Sequence, residues 1–123
     1  MQSIAPVAQS KIERPALYRM YMAFEVLRAQ EREFPAQLVS TFLYIASYNG
    51  CRQEDLMEGT SMSSSSVSRN VSWLGPKHRL GKDGLKLIRR SIDEDDPKRY
   101  RIYLTPKGEQ MASLLEKTLE QKD

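Results

Sequence analysis

The sequence has very little of the residues that build metal, redox and catalytic centres, with one cysteine and one histidine among 123 residues. The single cysteine, Cys51, excludes an internal disulfide and is typical of a protein of the reducing cytoplasm. Cys51 and His78 cannot together supply the ligands of a zinc site. His78 also has no carboxylate pair or nucleophile–base set associated with it. We therefore expect no metal, no cofactor and no enzymatic activity.

Long apolar runs are also missing. No stretch approaches the roughly 18 apolar residues of a membrane span. The N-terminus lacks the basic-then-apolar pattern of a signal peptide. These absences predict a cytoplasmic protein that makes no membrane contact. The apolar fraction of 40% is nevertheless enough for one modest core, and the length fits a single domain.

Acidic residues are scarce in one part of the chain. Residues 69–107 contain 11 Lys and Arg against 5 Asp and Glu, whereas the remainder contains 8 against 11. The formal net charge of +3 conceals this asymmetry. A local basic excess is expected where a protein contacts a polyanion, although a solvated basic surface produces the same count.

Two short helices joined by a tight turn are predicted within residues 52–74. Val67, Val71 and Leu74 recur at i, i+4 and i+7, which places them on one face of the second helix. The opposite face is then polar, with several serines and Arg69. A small polar face with one arginine is well suited to enter a groove, and the pair of helices has the outline of a helix-turn-helix.

Capping residues indicate where these two helices begin and end. Cys51 and Glu54 have the spacing of a capping box, with cysteine where serine or threonine is usual. A cysteine at a helix N-terminus can become reactive, but we favour a structural role because no second cysteine is available to resolve it. We expect Gly59 to end the first helix, and Ser61 or Ser63 to cap the second.

The segment from Pro35 to about residue 48 predicts the central core helix, because apolar residues cover almost one whole face. Its expected core positions are Leu38, Val39, Phe42, Ile45 and Ala46. The pair Asn49-Gly50 is a strong signal for the end of that helix.

Two further helices are predicted near the ends of the chain, at residues 16–34 and 106–123, with residues 1–15 as a flexible arm. Both have more apolar surface than one small core needs. The positions concerned are Leu17, Met20, Tyr21 and Phe24 in the first helix and Met111, Leu114, Leu115 and Leu119 in the last. We interpret them as a dimer interface; the alternative is that each stripe covers its own core.

Two strands are predicted at residues 85–93 and 100–104. Their core candidates are Leu87, Ile88, Ile92, Ile102 and Leu104. The connecting segment, 93–99, is acidic and then basic, and a basic loop at residues 77–84 precedes the first strand. Two strands after a helix-turn-helix form a wing. The expected fold is therefore mainly α (α+β), with a winged helix-turn-helix domain at residues 35–105 between the N- and C-terminal dimerisation helices.

Four motifs occur in one order along this domain. A serine-rich helix with valine–serine–arginine occupies residues 63–74, and leucine–isoleucine–arginine–arginine occupies 87–90. An aspartate-rich wing with basic residues occupies 93–99, and leucine–threonine–proline–lysine–glycine occupies 104–108. Together they resemble the MarR (multiple antibiotic resistance regulator) family of winged-helix transcription regulators. Each motif is weak alone, but the four in this order are fairly specific.

The resemblance implies a homodimer on double-stranded DNA, with the recognition helix (about 63–74) in a major groove and the wing (about 85–104) at a minor groove. The candidate DNA contacts are Ser64, Ser65, Ser66, Ser68, Arg69 and Ser72 in the helix and Arg90, Lys98, Arg99 and Arg101 in the wing. Asp96 matches a wing aspartate that orders the arginines. The family also implies a possible small-molecule effector, bound between the dimerisation helices and the winged domain.

The chain departs from the family pattern in four places. The link between residues 74 and 87 is longer than usual, Lys86 stands where the family has glycine, and Pro97 replaces a wing arginine. The C-terminal helix is also shorter than usual. The longer link suggests an added function for the basic loop, such as an extra contact with DNA or protein.

A second interpretation is a winged helix that binds RNA polymerase or another regulator rather than DNA, because fold alone does not decide function. The four consecutive carboxylates of residues 93–96 would repel DNA and favour that interpretation. The basic excess and the serine-rich helix favour DNA.

Overall fold

The computed structural model describes residues 11–78 and 80–121, so most of the predicted N-terminal arm lies outside the described residues. The elements, in chain order, are α1 Pro15–Gln30, α2 Ala36–Ser47, β1 Cys51–Arg52, α3 Gln53–Thr60, α4 Ser64–Leu74, β2 Ile88–Ile92, β3 Tyr100–Leu104 and α5 Pro106–Glu120. This arrangement confirms the predicted α+β winged helix. Over the described ranges, none of the helices has the length and apolarity that crossing a membrane requires.

Helix α2 lies at the centre of the core. Leu38, Phe42 and Ile45 are completely buried, and α2 contacts α3, α4, α5 and β3. The almost uniformly apolar face of this segment predicted that position. Gly50 follows the helix with φ +92°, a left-handed conformation that glycine adopts without strain, and this confirms the predicted stop.

Helices α1 and α5 pack against each other within the single chain. Ala23 and Leu27 of α1 and Leu115 of α5 belong to the common core. Thr105 caps α5 as its threonine–proline start indicates, because its Oγ1 accepts a hydrogen bond from the Gly108 N–H at 3.0 Å. The apolar stripe of α5 is therefore partly covered by its own chain.

Helix α1 ends at Gln30, four residues before the predicted boundary. The next residue, Glu31, is extended, and its N–H closes the last turn on the Leu27 carbonyl at 3.1 Å. Phe34 precedes Pro35, and a residue before proline is disfavoured in helical conformation. The prediction of a helix through residue 34 was wrong for this reason.

The wing is a three-stranded antiparallel sheet in the order β1-β3-β2. Strand β3 pairs with both neighbours, so that Ile102 lies opposite Cys51 on one side and Arg90 on the other. The two-residue strand β1 was not predicted, because two residues are too few to show an alternating pattern. It joins the wing to the start of α3.

Ile92 was predicted as a core residue, and this was wrong: its side chain is 60% exposed. Ile92 pairs with Tyr100 at the outer end of the wing, beyond the reach of the core. Strand β2 also begins at Ile88 rather than at residue 85. Leu85 and Leu87 instead donate their N–H groups to the carbonyls of the last turn of α4, which anchors this segment on the helix.

The start of α3 also differs from the prediction. Cys51 belongs to β1, Arg52 is the N-cap, and the Asp55 carboxylate accepts from the Arg52 N–H at 2.8 Å. The capping box therefore lies one residue later than the cysteine pattern indicated. Burial, together with the charge of Asp55, raises the pKa of the Cys51 thiol to about 11, which supports the structural role.

Gly59 was expected to end α3, but the helix continues to Thr60 and ends at Ser61, whose φ is +58°. Gly59 has a different role. A Cβ at this position would lie 2.2 Å from Cε2 of Tyr44, so the glycine lets α3 approach the ring closely.

Candidate nucleic-acid interface

Helix α4 presents a polar face to solvent. Its N-cap is Ser63, whose Oγ accepts a hydrogen bond from the Ser66 N–H at 3.2 Å. Ser63 was one of the two residues predicted as the cap. Val67, Val71 and Leu74 are buried, which fixes the rotation of the helix about its axis as the spacing predicted. The exposed positions that result are Ser64, Ser65, Ser68 and Arg69.

The turn before α4 is fixed by polar contacts to a methionine. Asn70, a buried residue of α4, directs its Nδ2 at the sulfur of Met62 at 3.5 Å. Thr41 of α2 lies 3.8 Å from the same sulfur and donates to the Gln37 carbonyl at 2.8 Å. These contacts hold α4 at a set angle to α2, so the polar face has a defined orientation.

The predicted serine contacts fall into two groups. Ser64, Ser65 and Ser68 are exposed, whereas Ser66 and Ser72 are half-buried. Ser65 and Ser68 also have hydrogen-bond partners in the chain, Ser63 Oγ at 3.2 Å and Gln53 Nε2 at 3.4 Å. Ser66 Oγ accepts from Arg69 Nη2 at 3.1 Å, and Ser72 Oγ donates to the Lys77 carbonyl at 3.0 Å. Ser66 therefore orients Arg69, and Ser72 fastens the following loop.

The wing is attached to the helix-turn-helix through one buried carboxylate. Asp93 is 1% exposed, and its Oδ2 accepts from Arg52 Nε at 2.6 Å. Its Oδ1 accepts from the Asp95 N–H at 3.0 Å and lies 3.3 Å from Arg101 Nε. Burial alone would raise the pKa of Asp93, but the hydrogen bonds from Asp95, Arg52 and Arg101 outweigh it and lower the pKa.

Two of the four predicted wing cations are paired with acidic residues. Arg99 forms ion pairs with Glu54 at the start of α3 and, at 3.0 Å, with Asp96. Arg101 is held by Asp93 and lies 3.6 Å from Asp95. Asp96 thus orders one wing arginine, whereas the carboxylate that orders Arg101 is Asp93, which the sequence pattern did not indicate.

The other two wing cations have different surroundings. Arg90 is exposed, and its guanidinium lies 5.2 Å from the centre of the Tyr100 ring. This cation–π contact positions the charge without neutralising it. Lys98 is exposed near the tip and makes no ion pair with any residue that the structure describes. Of the four predicted wing cations, Arg90 and Lys98 are therefore the two that remain available to an anionic partner.

An open cleft of about 390 Å³ lies between α4 and β2. Ser68 and Ser72 line it from the helix, Arg90 and Tyr100 from the wing, and Lys77 from the basic loop. Sequence reasoning missed Lys77 and Tyr100 as site residues. The basic composition of the loop was a signal for Lys77, but the position of Tyr100 beside Arg90 depends on strand register.

The predicted dimer residues are divided between surface and core. Leu17, Met20, Tyr21 and Phe24 of α1 are exposed, as are Leu114 and Leu119 of α5. Leu115, in contrast, is 4% exposed and belongs to the protomer's own core, and Met111 packs partly against it. Leu115 is not available as a surface contact, because α5 turns that side towards α1.

A second cavity lies beside α1 and the segment that connects it to α2. Its volume is about 280 Å³, and Phe24, Leu27, Phe34 and Arg28 are among the residues that line it. The pKa of Arg28 is raised by a hydrogen bond to Glu25, whose carboxylate lies at 2.7 Å. The cavity is mostly apolar with cationic groups at its edge.

No protein-family model and no curated protein sequence matches the chain. Solved structures do match its fold. An S. aureus MepR–DNA complex has 21% identity and a TM-score of 0.62, covering 85% of this chain and 82% of that one. The structure of MarR has 20% identity and a TM-score of 0.57, covering 87% and 77%.

A third match is Bordetella bronchiseptica BpsR, solved to explain how 6-hydroxynicotinic acid regulates its DNA binding. It has 16% identity and a TM-score of 0.57, and covers 85% of this chain and 74% of that one. The chain therefore has the fold of the MarR-family winged-helix regulators.

Proposed function

We propose that this protein is a transcription regulator of the MarR type that binds double-stranded DNA as a homodimer. The observation on which this rests is the exposed polar face of α4, which includes Arg69, beside a cleft lined by Ser68, Lys77 and Arg90. A relative in fold, MepR of S. aureus, has been solved on DNA. The exposed face of α4 in this chain has the residue types that a contact with DNA needs.

Helix α4 reads the major groove in this proposal. Hydroxyl groups bond phosphates and bases but specify bases weakly, whereas an arginine donates two hydrogen bonds to guanine. Arg69 is therefore the principal base reader. Ser64, Ser65 and Ser68 are exposed towards the groove and set the register of the helix on the backbone. Lys and Arg contacts to phosphate provide most of the affinity, which falls steeply with salt.

The wing contributes through Arg90 and Lys98. Arg99 and Arg101 are already paired with carboxylates, and breaking those pairs would offset much of what a phosphate contact gains. Their role in this proposal is to hold the wing against α3. Arg90, which Tyr100 positions, and the exposed Lys98 are the wing residues that meet the phosphates or the minor groove.

Dimerisation is supported by the exposed apolar side chains of α1 and α5. The side chain of Leu17 is 59% exposed, and Met20, Tyr21 and Leu114 are also at the surface. A patch of this kind marks an association surface. Two copies of the recognition helix, related by a two-fold axis, would match a palindromic operator with half-sites about one helical turn apart.

The protein-binding alternative loses part of its support. It rested on repulsion of DNA by four wing carboxylates, but Asp93 is buried and paired, and Asp96 is paired with Arg99. Only Glu94 and Asp95 remain as exposed carboxylates at the tip. Of these two, Asp95 lies 3.6 Å from Arg101 Nη2.

Selection from a randomised double-stranded DNA library with the full chain tests the proposal. We expect a palindromic sequence to be enriched at about 100 mM salt. An Arg69→Ala variant should lose the enrichment at one position in each half-site. The control Lys117→Ala, which changes an exposed residue of α5, should keep it. A library that stays unenriched, together with capture of RNA polymerase by the same protein, would favour the alternative.

A further inference from the structure

The basic loop is a small folded hairpin. The His78 N–H donates to the Lys82 carbonyl at 2.7 Å, and the Gly81 N–H donates to the His78 carbonyl at 2.9 Å. Gly81 has φ +84°, which a tight turn of this kind requires. The backbones of Lys77 and Asp83 form an isolated antiparallel β-bridge at the base of the hairpin. The backbone at Lys77, His78 and Lys82 therefore has a defined conformation.

The basic loop is also fastened to the end of the recognition helix. The Lys77 carbonyl accepts from Ser72 Oγ at 3.0 Å, and the rings of Trp73 and His78 meet edge to face with centroids 5.4 Å apart. Gly84 lies directly against the carbonyl of Gly75, where a Cβ would come within 2.0 Å of the oxygen. The backbone of Gly84 thus packs tightly on the backbone of Gly75, and the basic loop lies next to the C-terminal end of α4.

The lysines of the basic loop differ from the wing arginines in their surroundings. Lys77 and Lys82 are both exposed, and neither makes an ion pair with any residue in the described ranges. This distinguishes them from Arg99 and Arg101, whose charges are paired within the wing. The basic loop therefore presents unneutralised positive charge.

The position of Lys77 links this charge to the recognition surface. Lys77 lines the same cleft as Ser68 of α4 and Arg90 of β2. A cationic strip therefore runs from the wing, across the cleft and onto the basic loop. A strand of nucleic acid that follows α4 would meet Arg90 and Lys77 from opposite sides.

We propose that the basic loop is an additional DNA-backbone contact, which extends the contact of the recognition helix beyond its C-terminal end. The partner is the phosphate backbone of the operator flank, and the contact is independent of base sequence because lysine neutralises phosphate as a point charge. The inference rests on the proposed DNA binding. It adds a surface outside the helix and the wing.

The experiment compares the double variant Lys77→Gln/Lys82→Gln with the wild-type chain by fluorescence anisotropy between 50 and 200 mM salt, concentrations at which phosphate contacts dominate the salt dependence. Each phosphate contact removed should lower the slope of log K against log salt by about 0.9. Because the proposed homodimer has two basic loops, the double variant removes four lysines from each complex and should lower the slope by about 3.6. We expect at least roughly tenfold weaker binding to operator and non-operator DNA alike, so that the specificity ratio is unchanged.

Lys11→Gln/Lys117→Gln is the matched control, because it removes the same charge from exposed lysines outside the basic loop and the wing. Equal thermal unfolding of all three proteins shows that the fold is intact. Hydroxyl-radical footprinting should show protection of the operator flank by the wild-type chain and loss of that protection in the loop variant.

The outcomes separate the two proposals. Wild-type binding whose salt slope and footprint do not change in the loop variant overturns the role of the basic loop and leaves the proposed function standing. Loss of binding to an acidic protein partner, with DNA binding unaltered, also overturns it and assigns the loop to protein contact. Failure of the wild-type chain to bind any DNA overturns the proposed function itself.

Discussion

Arg52 and Asp93, 41 positions apart in the sequence, join the wing to the helix-turn-helix through a hydrogen bond of 2.6 Å from Nε to Oδ2. Arg52 is both the N-cap of α3 and a residue of β1. Asp93 directly follows the last residue of β2 and is almost completely buried. This ion pair, together with the pairing of β1 with β3 and the Arg99–Glu54 ion pair, fixes how the wing sits beside the helix-turn-helix.

Replacing Asp93 by asparagine should release the wing. The variant keeps the volume of the side chain but leaves Arg52 and Arg101 without their charged partner, and unpaired charges in a buried network are destabilising. We expect the midpoint of thermal unfolding to fall by several degrees and DNA affinity to fall with it. Glu94→Gln, which changes an exposed neighbour, is the control and should unfold like the wild-type chain.

The same pair predicts a dependence of stability on pH. The pKa of Asp93 is lowered from its ordinary value of 3.8, so its charged form stabilises the folded state above that value. The contribution should be complete above about pH 5 and should disappear as the pH falls below about 4. Urea unfolding of the wild-type chain and Asp93→Asn at several pH values measures it. A difference between the two proteins that grows towards low pH would contradict this account.

Lys86 adopts φ +60°, a left-handed conformation that is unfavourable for a residue with a Cβ. It is held there because its N–H donates to the Gly75 carbonyl and its own carbonyl accepts from Thr105 Oγ1 at 2.7 Å. Lys86→Gly should raise the free energy of unfolding by about 1 kcal/mol. Lys86→Ala keeps the strain and should give no such gain in urea unfolding.

The exposed apolar face of α1 predicts a further result. Tyr21→Asp places a charge in the proposed interface and should convert the dimer to a monomer in analytical ultracentrifugation, because burying an unpaired charge is costly. DNA affinity should fall at least tenfold as the second half-site contact is lost. Ile92→Asp, at the exposed tip of the wing, should stay dimeric. A Tyr21→Asp variant with unchanged mass would place the interface elsewhere.

Periodicity was sufficient to predict most of the fold, because burial imposes it on the sequence. The faces of α2 and α4 and the extent of β3 were predicted correctly, since Phe42, Val67 and Ile102 each recur in register with other apolar residues. Ile92 misled the strand assignment because alternation continues past the point where the core ends. The alternation of apolar residues along a strand does not show where the strand extends beyond the core.

The site was less predictable, because its electrostatics depend on contacts between distant residues. Nothing local distinguishes Arg99 and Arg101, which are paired, from Lys98, which is not. The pairing of Arg99 with Glu54 joins positions 45 residues apart. Composition indicated the basic region correctly, but only the fold separates the available charges from the neutralised ones.

The central claim is that α4 reads base sequence through Arg69. The most direct measurement is the ratio of affinities for the selected operator and for a scrambled duplex, in the wild-type chain and in Arg69→Ala, at one salt concentration. Loss of one bidentate contact to guanine in each half-site should lower that ratio by about 2–6 kcal/mol in total, or at least roughly 30-fold, and leave scrambled binding little changed. A ratio that is already close to one in the wild-type chain, or that Arg69→Ala leaves unaltered, would contradict the claim.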